Sequence, residues 1–145
     1  MFPYSELKSI HLEISTRCQA SCPMCPRKYH GGIENTNLPI TDWTLDEFKH
    51  IFTSELANQV DMVYFCGNYG DPIMNDDLPM MCKHLTDINP NIAIRIHTNG
   101  GARSTKWWTE LYNSLPVNHL VCWGIDGLED TNHIYRIGVN YDILM

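Results

Sequence analysis

The apolar positions of the chain alternate between the period of strands and that of helices. Ile10-His11-Leu12-Glu13-Ile14-Ser15 sets apolar against polar residues at every second place and predicts a strand over about residues 9–15. Thr44-Leu45-Asp46-Glu47 has the form of a capping box, and Leu45, Phe48, Phe52 and Leu56 follow at helical spacing, which predicts one helix. Residues 60–66 form an apolar run of strand length. A second helix is expected from Asn75 or Asp76, with Pro79 in its first turn and Pro90 closing it. Its stripe is Leu78, Met81, Cys82, Leu85 and Ile88. Residues 92–98 read as a third strand and residues 120–125 as a fourth. Between them Ser104 is placed to cap a third helix with the inner stripe Trp108, Leu111, Tyr112 and Leu115.

Strands alternating with helices imply an α/β fold with a parallel sheet. In such folds ligands gather at the carboxyl ends of the strands. Four unusual stretches follow the four strands in order: the cysteines of residues 18–25, Gly67-Asn68-Tyr69-Gly70-Asp71-Pro72, Thr98-Asn99-Gly100-Gly101, and Asp126-Gly127. All four are therefore expected on one rim. Residues 26–42, rich in glycine and asparagine, read as a long loop. Glu13, Arg95 and His97 fall on the polar side of their strands. They are candidates to line a cavity there, or equally to form a salt bridge that fills the interior.

Composition narrows the classes. With 145 residues, 43% hydrophobic and 19% charged, the chain suits one soluble globular domain. Ten basic against seventeen acidic residues give a net charge of −7, which argues against a nucleic-acid partner. No apolar run approaches the roughly 20 residues of a membrane helix, and the first six residues lack the basic and apolar regions of a signal peptide. A cytoplasmic, reducing setting follows, so the six cysteines read as thiols and ligands. Cys66, Cys82 and Cys122 lie in apolar runs and are expected in the core. Trp107-Trp108 reads as helix packing, and Arg27-Lys28 as surface charge or an attractor of anions.

The chemistry concentrates in Cys18-Gln19-Ala20-Ser21-Cys22-Pro23-Met24-Cys25. Closely spaced thiolates are soft ligands, suited to zinc, cuprous copper or iron–sulfur clusters. The spacing C-x3-C-x2-C offers three ligands and no fourth cysteine nearby. On a cubane cluster that leaves one iron open. With His30 as a fourth ligand the same cysteines would instead close a Cys3His zinc site in a non-catalytic binding module.

Taken in order, Cys18, Cys22 and Cys25, residues 67–72, Thr98-Asn99-Gly100 and Gly124-Ile125-Asp126-Gly127-Leu128 resemble the radical S-adenosylmethionine (radical SAM) superfamily over nearly the whole chain. The resemblance implies an incomplete parallel (β/α) barrel of radical SAM type, of which four strands and three helices are visible in this chain. Residues 1–145 would be the N-terminal part of a partial TIM-like core domain. It implies a [4Fe-4S] cluster on the three cysteines, with S-adenosylmethionine chelating the fourth iron. Reduction would cleave that cofactor to a 5′-deoxyadenosyl radical, which abstracts a substrate hydrogen. Gly70, Asp71 and Pro72 match the end of a Gly-Gly-Glu-Pro turn that receives the cofactor's ammonium. Met24 stands where an aromatic residue often packs near the adenine, and Thr98, Asn99 and Asp126 match strand-end motifs that bind the cofactor. No catalytic residue is assigned.

The departures carry information too. Tyr69 replaces a common glycine, Asp71 a glutamate, and Gly124 a serine whose hydroxyl meets the cofactor carboxylate. His133 and Arg136 resemble a His-x-x-Arg feature of related enzymes. The family barrel has six strands; four with an end at Met145 lead to the expectation of a fragment, a truncated gene product or a minimal form. An Ile-Asp-Gly element accompanies enzymes that modify peptides or proteins, and a low-potential donor such as flavodoxin or ferredoxin is implied. A degenerate relative, holding the cluster but not the cofactor productively, is the remaining alternative.

Overall fold

In the computed structural model, which describes residues 3–145, four strands pair side by side and in parallel. They are β1 (Ser9–Leu12), β4 (Met62–Phe65), β5 (Ala93–Thr98) and β6 (His119–Trp123), in the sheet order β1-β4-β5-β6. Each strand is joined to its neighbour by helices: α1 (Leu45–Ile51) and α2 (Ser54–Gln59), then α3 (Leu78–Ile88), then α4 (Thr105–Ser114). The chain is thus an α/β partial barrel, as the alternation of periods required. Met1 and Phe2, the first residues of the leader test above, lie outside the described residues.

Register explains the two faces. Leu12 stands beside Phe65, Phe65 beside Ile96 and Ile96 beside Val121, so one face of the sheet is a continuous apolar surface. Helices cover it, burying Phe48, Phe52, Leu78, Met81, Leu85 and Leu111. The next row toward the rim places His97 beside Cys122 on the opposite face. His11, Tyr64, Arg95 and Leu120 form another row of that face.

Several boundaries differ from the pattern reading. The expected single helix of residues 45–56 is two. Thr44 and Glu47 do form the capping box, but the backbone leaves the helical region at Phe52. Thr53 then caps α2 by accepting a bond from the Leu56 N–H. A threonine at that place offers the chain a new helix start that competes with continuation. Both phenylalanines still reach the core, their rings stacked 4.6 Å apart. Residues 26–42 contain a small hairpin, β2 (Lys28–Tyr29) with β3 (Ile33–Glu34). Arg27 and Lys28 both pair with Glu34 there, so neither is a free anion attractor. Tyr112, expected inside, is 66% exposed.

Beyond β6 the chain forms two short helices, α5 (Asn132–Tyr135) and α6 (Tyr141–Leu144), so the three helices expected from periodicity are not the full set. Trp108 packs against Trp123, 4.8 Å between rings, which accounts for the tryptophan pair. No helix among the described residues is long and apolar enough to cross a membrane.

The break at Thr53 is testable. Thr53→Ala removes a cap and should lower stability by about 0.5–2 kcal/mol in urea denaturation. In an uninterrupted helix the same change would raise it, because alanine propagates a helix better than threonine.

Candidate functional site

The four strand ends open onto one cavity of about 590 Å³. Its walls include Cys18, Cys22 and Cys25 after β1, residues 66–68 with Gly70 and Asp71 after β4, His97 and Thr98 of β5 with Asn99 after it, and Cys122 and Trp123 of β6 with Gly124 after it. The convergence expected from strand order is therefore present in space.

The cysteine loop is a tight structure pinned at both ends. Cys25 N–H donates to Cys22 O at 3.1 Å and Lys28 N–H to Cys25 O at 3.1 Å, so the last two cysteines lie on consecutive turns. Ser21 N–H donates to Ile137 O at 2.7 Å, fastening the loop to the segment after α5. Two of the sulfurs accept side-chain bonds from elsewhere in the fold, one from the end of β5 and one from the end of α5. Asn99 Nδ2 donates to Cys18 Sγ at 3.5 Å, and Arg136 Nη1 donates to Cys22 Sγ at 3.8 Å. Burial pushes the Cys18 thiol up to about 11, with Asp71, Cys22 and Cys25 adding to the rise. Metal ligation needs the thiolate, so a cation bound here would have to offset that rise.

The donor set, three soft thiols, is of the kind that holds an iron–sulfur cluster or zinc. Three free thiols face a roomy cavity, and N–H groups are already aimed at two of them. His30, the fourth ligand of the zinc alternative, sits at the hairpin turn with φ 51° and does not line the cavity. Among the described residues no three His, Cys, Asp or Glu side chains gather closely enough to hold a single ion.

Opposite the cysteines lies the turn of residues 67–71. A Cβ on Gly70 would stand 2.1 Å from Ser15 O, and one on Gly67 would stand 2.3 Å from Gly70 O. Backbone meets backbone at both places, so neither glycine admits a side chain. Tyr69, between them, is exposed and needs no such room. Glu13 holds the turn from below: its carboxylate accepts from Asn68 N–H at 3.0 Å and from Asn68 Nδ2 at 2.5 Å. Glu13 is thus a brace rather than a cavity wall. Arg95 points to the far end of the sheet, where it donates to Asn118 O at 3.1 Å and Oδ1 at 2.9 Å. Of the three polar strand residues only His97 lines the cavity, and no salt bridge joins Glu13 to Arg95 among the described residues.

Asp71 is 4% exposed. Its Oδ2 accepts from Asn99 N–H at 2.8 Å and Asn99 Nδ2 at 2.7 Å, while Oδ1 caps the short helix Pro72–Met74 through Ile73 N–H at 3.2 Å. Burial raises this carboxyl above its ordinary value, opposed by those donors and by the Arg136 charge. Asn99 in turn accepts from Gln19 Nε2 at 2.5 Å and Gly101 N–H at 2.8 Å. One side chain therefore ties the cysteine loop, the glycine turn and β5 together.

The remaining candidates divide. Met24, 81% exposed, forms a lip of the cavity. Thr98 is buried at the wall, with its hydroxyl accepting from Gly100 N–H at 3.0 Å. Pro72 is buried beneath the turn, and Asp126 pairs with Arg136; neither lines the cavity. Cys82 is a core thiol as expected, whereas Cys66 and Cys122 are half-buried on the cavity wall. Their places alternate in step with Glu13 and His97, a parity signal the pattern reading passed over. Tyr135, Arg136 and Asn68 also line the site without having been singled out as binding residues.

No protein-family model and no curated protein matches the sequence. Among solved structures the chain is similar to BtrN in complex with AdoMet and 2-DOIA, with a TM-score of 0.60 at 20% identity. The match covers 79% of this chain and 45% of BtrN, so the chain spans less than half of that protein's length. This likeness establishes the fold.

Asn99 gives the test of the site's internal order. Asn99→Ala removes the Nδ2 donor from the buried Asp71 oxygen, leaving only the backbone N–H of residue 99, and should cost about 1–3 kcal/mol in denaturant. Asn99→Asp sets a second carboxylate against Asp71 and should cost more, the excess shrinking as pH falls and the pair shares a proton. Equal stability of both variants with the parent at neutral pH would contradict the network.

Proposed function

We propose that the chain is the cluster- and cofactor-binding part of a radical SAM enzyme. In this reading Cys18, Cys22 and Cys25 hold a [4Fe-4S] cluster, and S-adenosylmethionine occupies the cavity between them and the turn of residues 67–71. The observation that carries it is the pair of N–H donors, Asn99 from the end of β5 and Arg136 from the end of α5, aimed at Cys18 and Cys22 across one cavity. The complex of the similarly folded BtrN with AdoMet supports the choice of cofactor.

When bound, cluster and cofactor together supply a reductively generated 5′-deoxyadenosyl radical able to take a hydrogen atom from a substrate. The chain's own residues hold and orient. Gly67 and Gly70 let the turn close on itself and on the backbone of Ser15, leaving backbone rather than side chain at the wall. Asp71 places negative charge beside that wall, the polarity an ammonium requires. Thr98 and Asn99 act on the cofactor through the shape of the wall, since their polar atoms already have partners within the protein. Met24 covers the mouth with a polarizable thioether. Asp126 acts through Arg136.

The reading extends to a peptide or protein substrate and to a low-potential flavodoxin or ferredoxin as donor. It also includes a reducing, cytoplasmic setting, which the six free cysteines support.

Anaerobic reconstitution with iron and sulfide tests the metal half. The parent chain should turn brown and hold about four irons with matching sulfide; Cys18→Ala, Cys22→Ala and Cys25→Ala should each lose them. Tight zinc without sulfide would overturn it. Dithionite with S-adenosylmethionine tests the second half and should release 5′-deoxyadenosine. A fully loaded cluster that releases none would mark a degenerate relative.

A further inference from the structure

Arg136 follows α5 and turns back into the site, where its guanidinium makes three separate approaches. Its Nε pairs with the Asp126 carboxylate. Its Nη1 donates to Cys22 Sγ at 3.8 Å. Its Nη2 occupies the space over Gly124, 2.6 Å from where a Cβ on that residue would stand. Cys22 is 6% exposed, so its sulfur has little water to compete for the bond. Asp126 orients the fork and Gly124 leaves room for it. The glycine that replaces the family's serine is thus matched, in this chain, by a cation reaching a cysteine sulfur.

We propose that Arg136, oriented by Asp126 and admitted by Gly124, is a positioning residue that sets the reduction potential of the cluster through Cys22. This rests on the reading of the three cysteines as cluster ligands. Reduction adds one negative charge to the cluster and its thiolates. A fixed cation with an N–H on a ligand sulfur stabilises the reduced state more than the oxidised one and raises the potential. Asn99, which bonds Cys18 as a neutral amide, contributes less of this effect than a charged donor does.

Gly124 supplies the discriminating variant. In Gly124→Ser the new Cβ collides only with the far end of the Arg136 side chain, so the fold holds while the guanidinium is displaced. Restoring the family's usual residue should therefore do harm. Because Gly124→Ser and Arg136→Gln break one contact, their effects should not add.

The experiment is a spectroscopic redox titration of the anaerobically reconstituted full chain, with iron and sulfide measured alongside. The parent, Arg136→Gln, Arg136→Lys, Gly124→Ser and the double variant are compared. At the parent's midpoint, Arg136→Gln should show an approximately tenfold lower ratio of reduced to oxidised cluster, equivalent to ~59 mV for one electron. Arg136→Lys should recover part of the loss, Gly124→Ser should match Arg136→Gln, and the double variant should lose no more. Unchanged midpoints in the single variants, or full additivity in the double, would overturn the proposal. If Arg136→Gln holds no cluster, Gly124→Ser decides alone, since it leaves every charge in place. A parent chain that holds no iron and sulfide defeats the underlying reading instead, a result plainly different from a loaded cluster with an unmoved potential.

Discussion

The in-register pairing of four parallel strands is the constraint on which the site depends. Parallel neighbours all end at the same side, so whatever follows each strand is delivered to one rim. The helices enforce this by burying a single apolar face, the rows through Leu12, Phe65, Ile96 and Val121. A slip of one residue would turn that face outward, and the register is held by the full cost of exposing it. The other face is left to polar and sulfur-bearing side chains, and the cavity opens above it.

Delivery to one rim does not by itself fix the distances between loops. A few buried polar groups do that. Asp71 and Asn99 join the turn after β4 to the end of β5, and Gln19 with Cys18 extends the same network into the cysteine loop. On the other side Arg136 joins Cys22 to Asp126. The cysteine loop is thus held from both flanks, with N–H groups directed at two sulfurs. Such donors suit ligands that carry negative charge once a metal is bound, and a pair of neutral thiols gives little reason for them. The glycines opposite have a simpler cause, since backbone oxygens stand where their side chains would be.

Much of this was legible in the sequence, because period and spacing are local properties. The four strands, the capping box at Thr44 and the cap at Ser104 depend on neighbours a few residues away and came through. The helix break came from a competition between Thr53 as a new cap and the continuing apolar stripe, and periodicity records only the stripe. Tyr112 fits the stripe of α4 but reaches its exposed edge, and a helical wheel does not mark where cover ends. Glu13 and Arg95 share a face in pattern yet stand at opposite ends of it, one under the glycine turn and one beside Asn118. Cys66 and Cys122 look like core thiols within apolar runs; only the openness of the inner face makes them cavity wall. Arg136 is marked by its His-x-x-Arg spacing, but its place beside Cys22 depends on a segment that returns to the site after β6, which that local pattern does not record.

The central claim is that three thiolates hold a four-iron cluster and leave one corner for a small ligand. Mössbauer spectroscopy of the chain reconstituted with iron-57, before and after adding S-adenosylmethionine, tests it most directly. The account predicts that one iron in four changes its isomer shift and quadrupole splitting while the other three keep theirs. Four irons that are indifferent to the addition would contradict it.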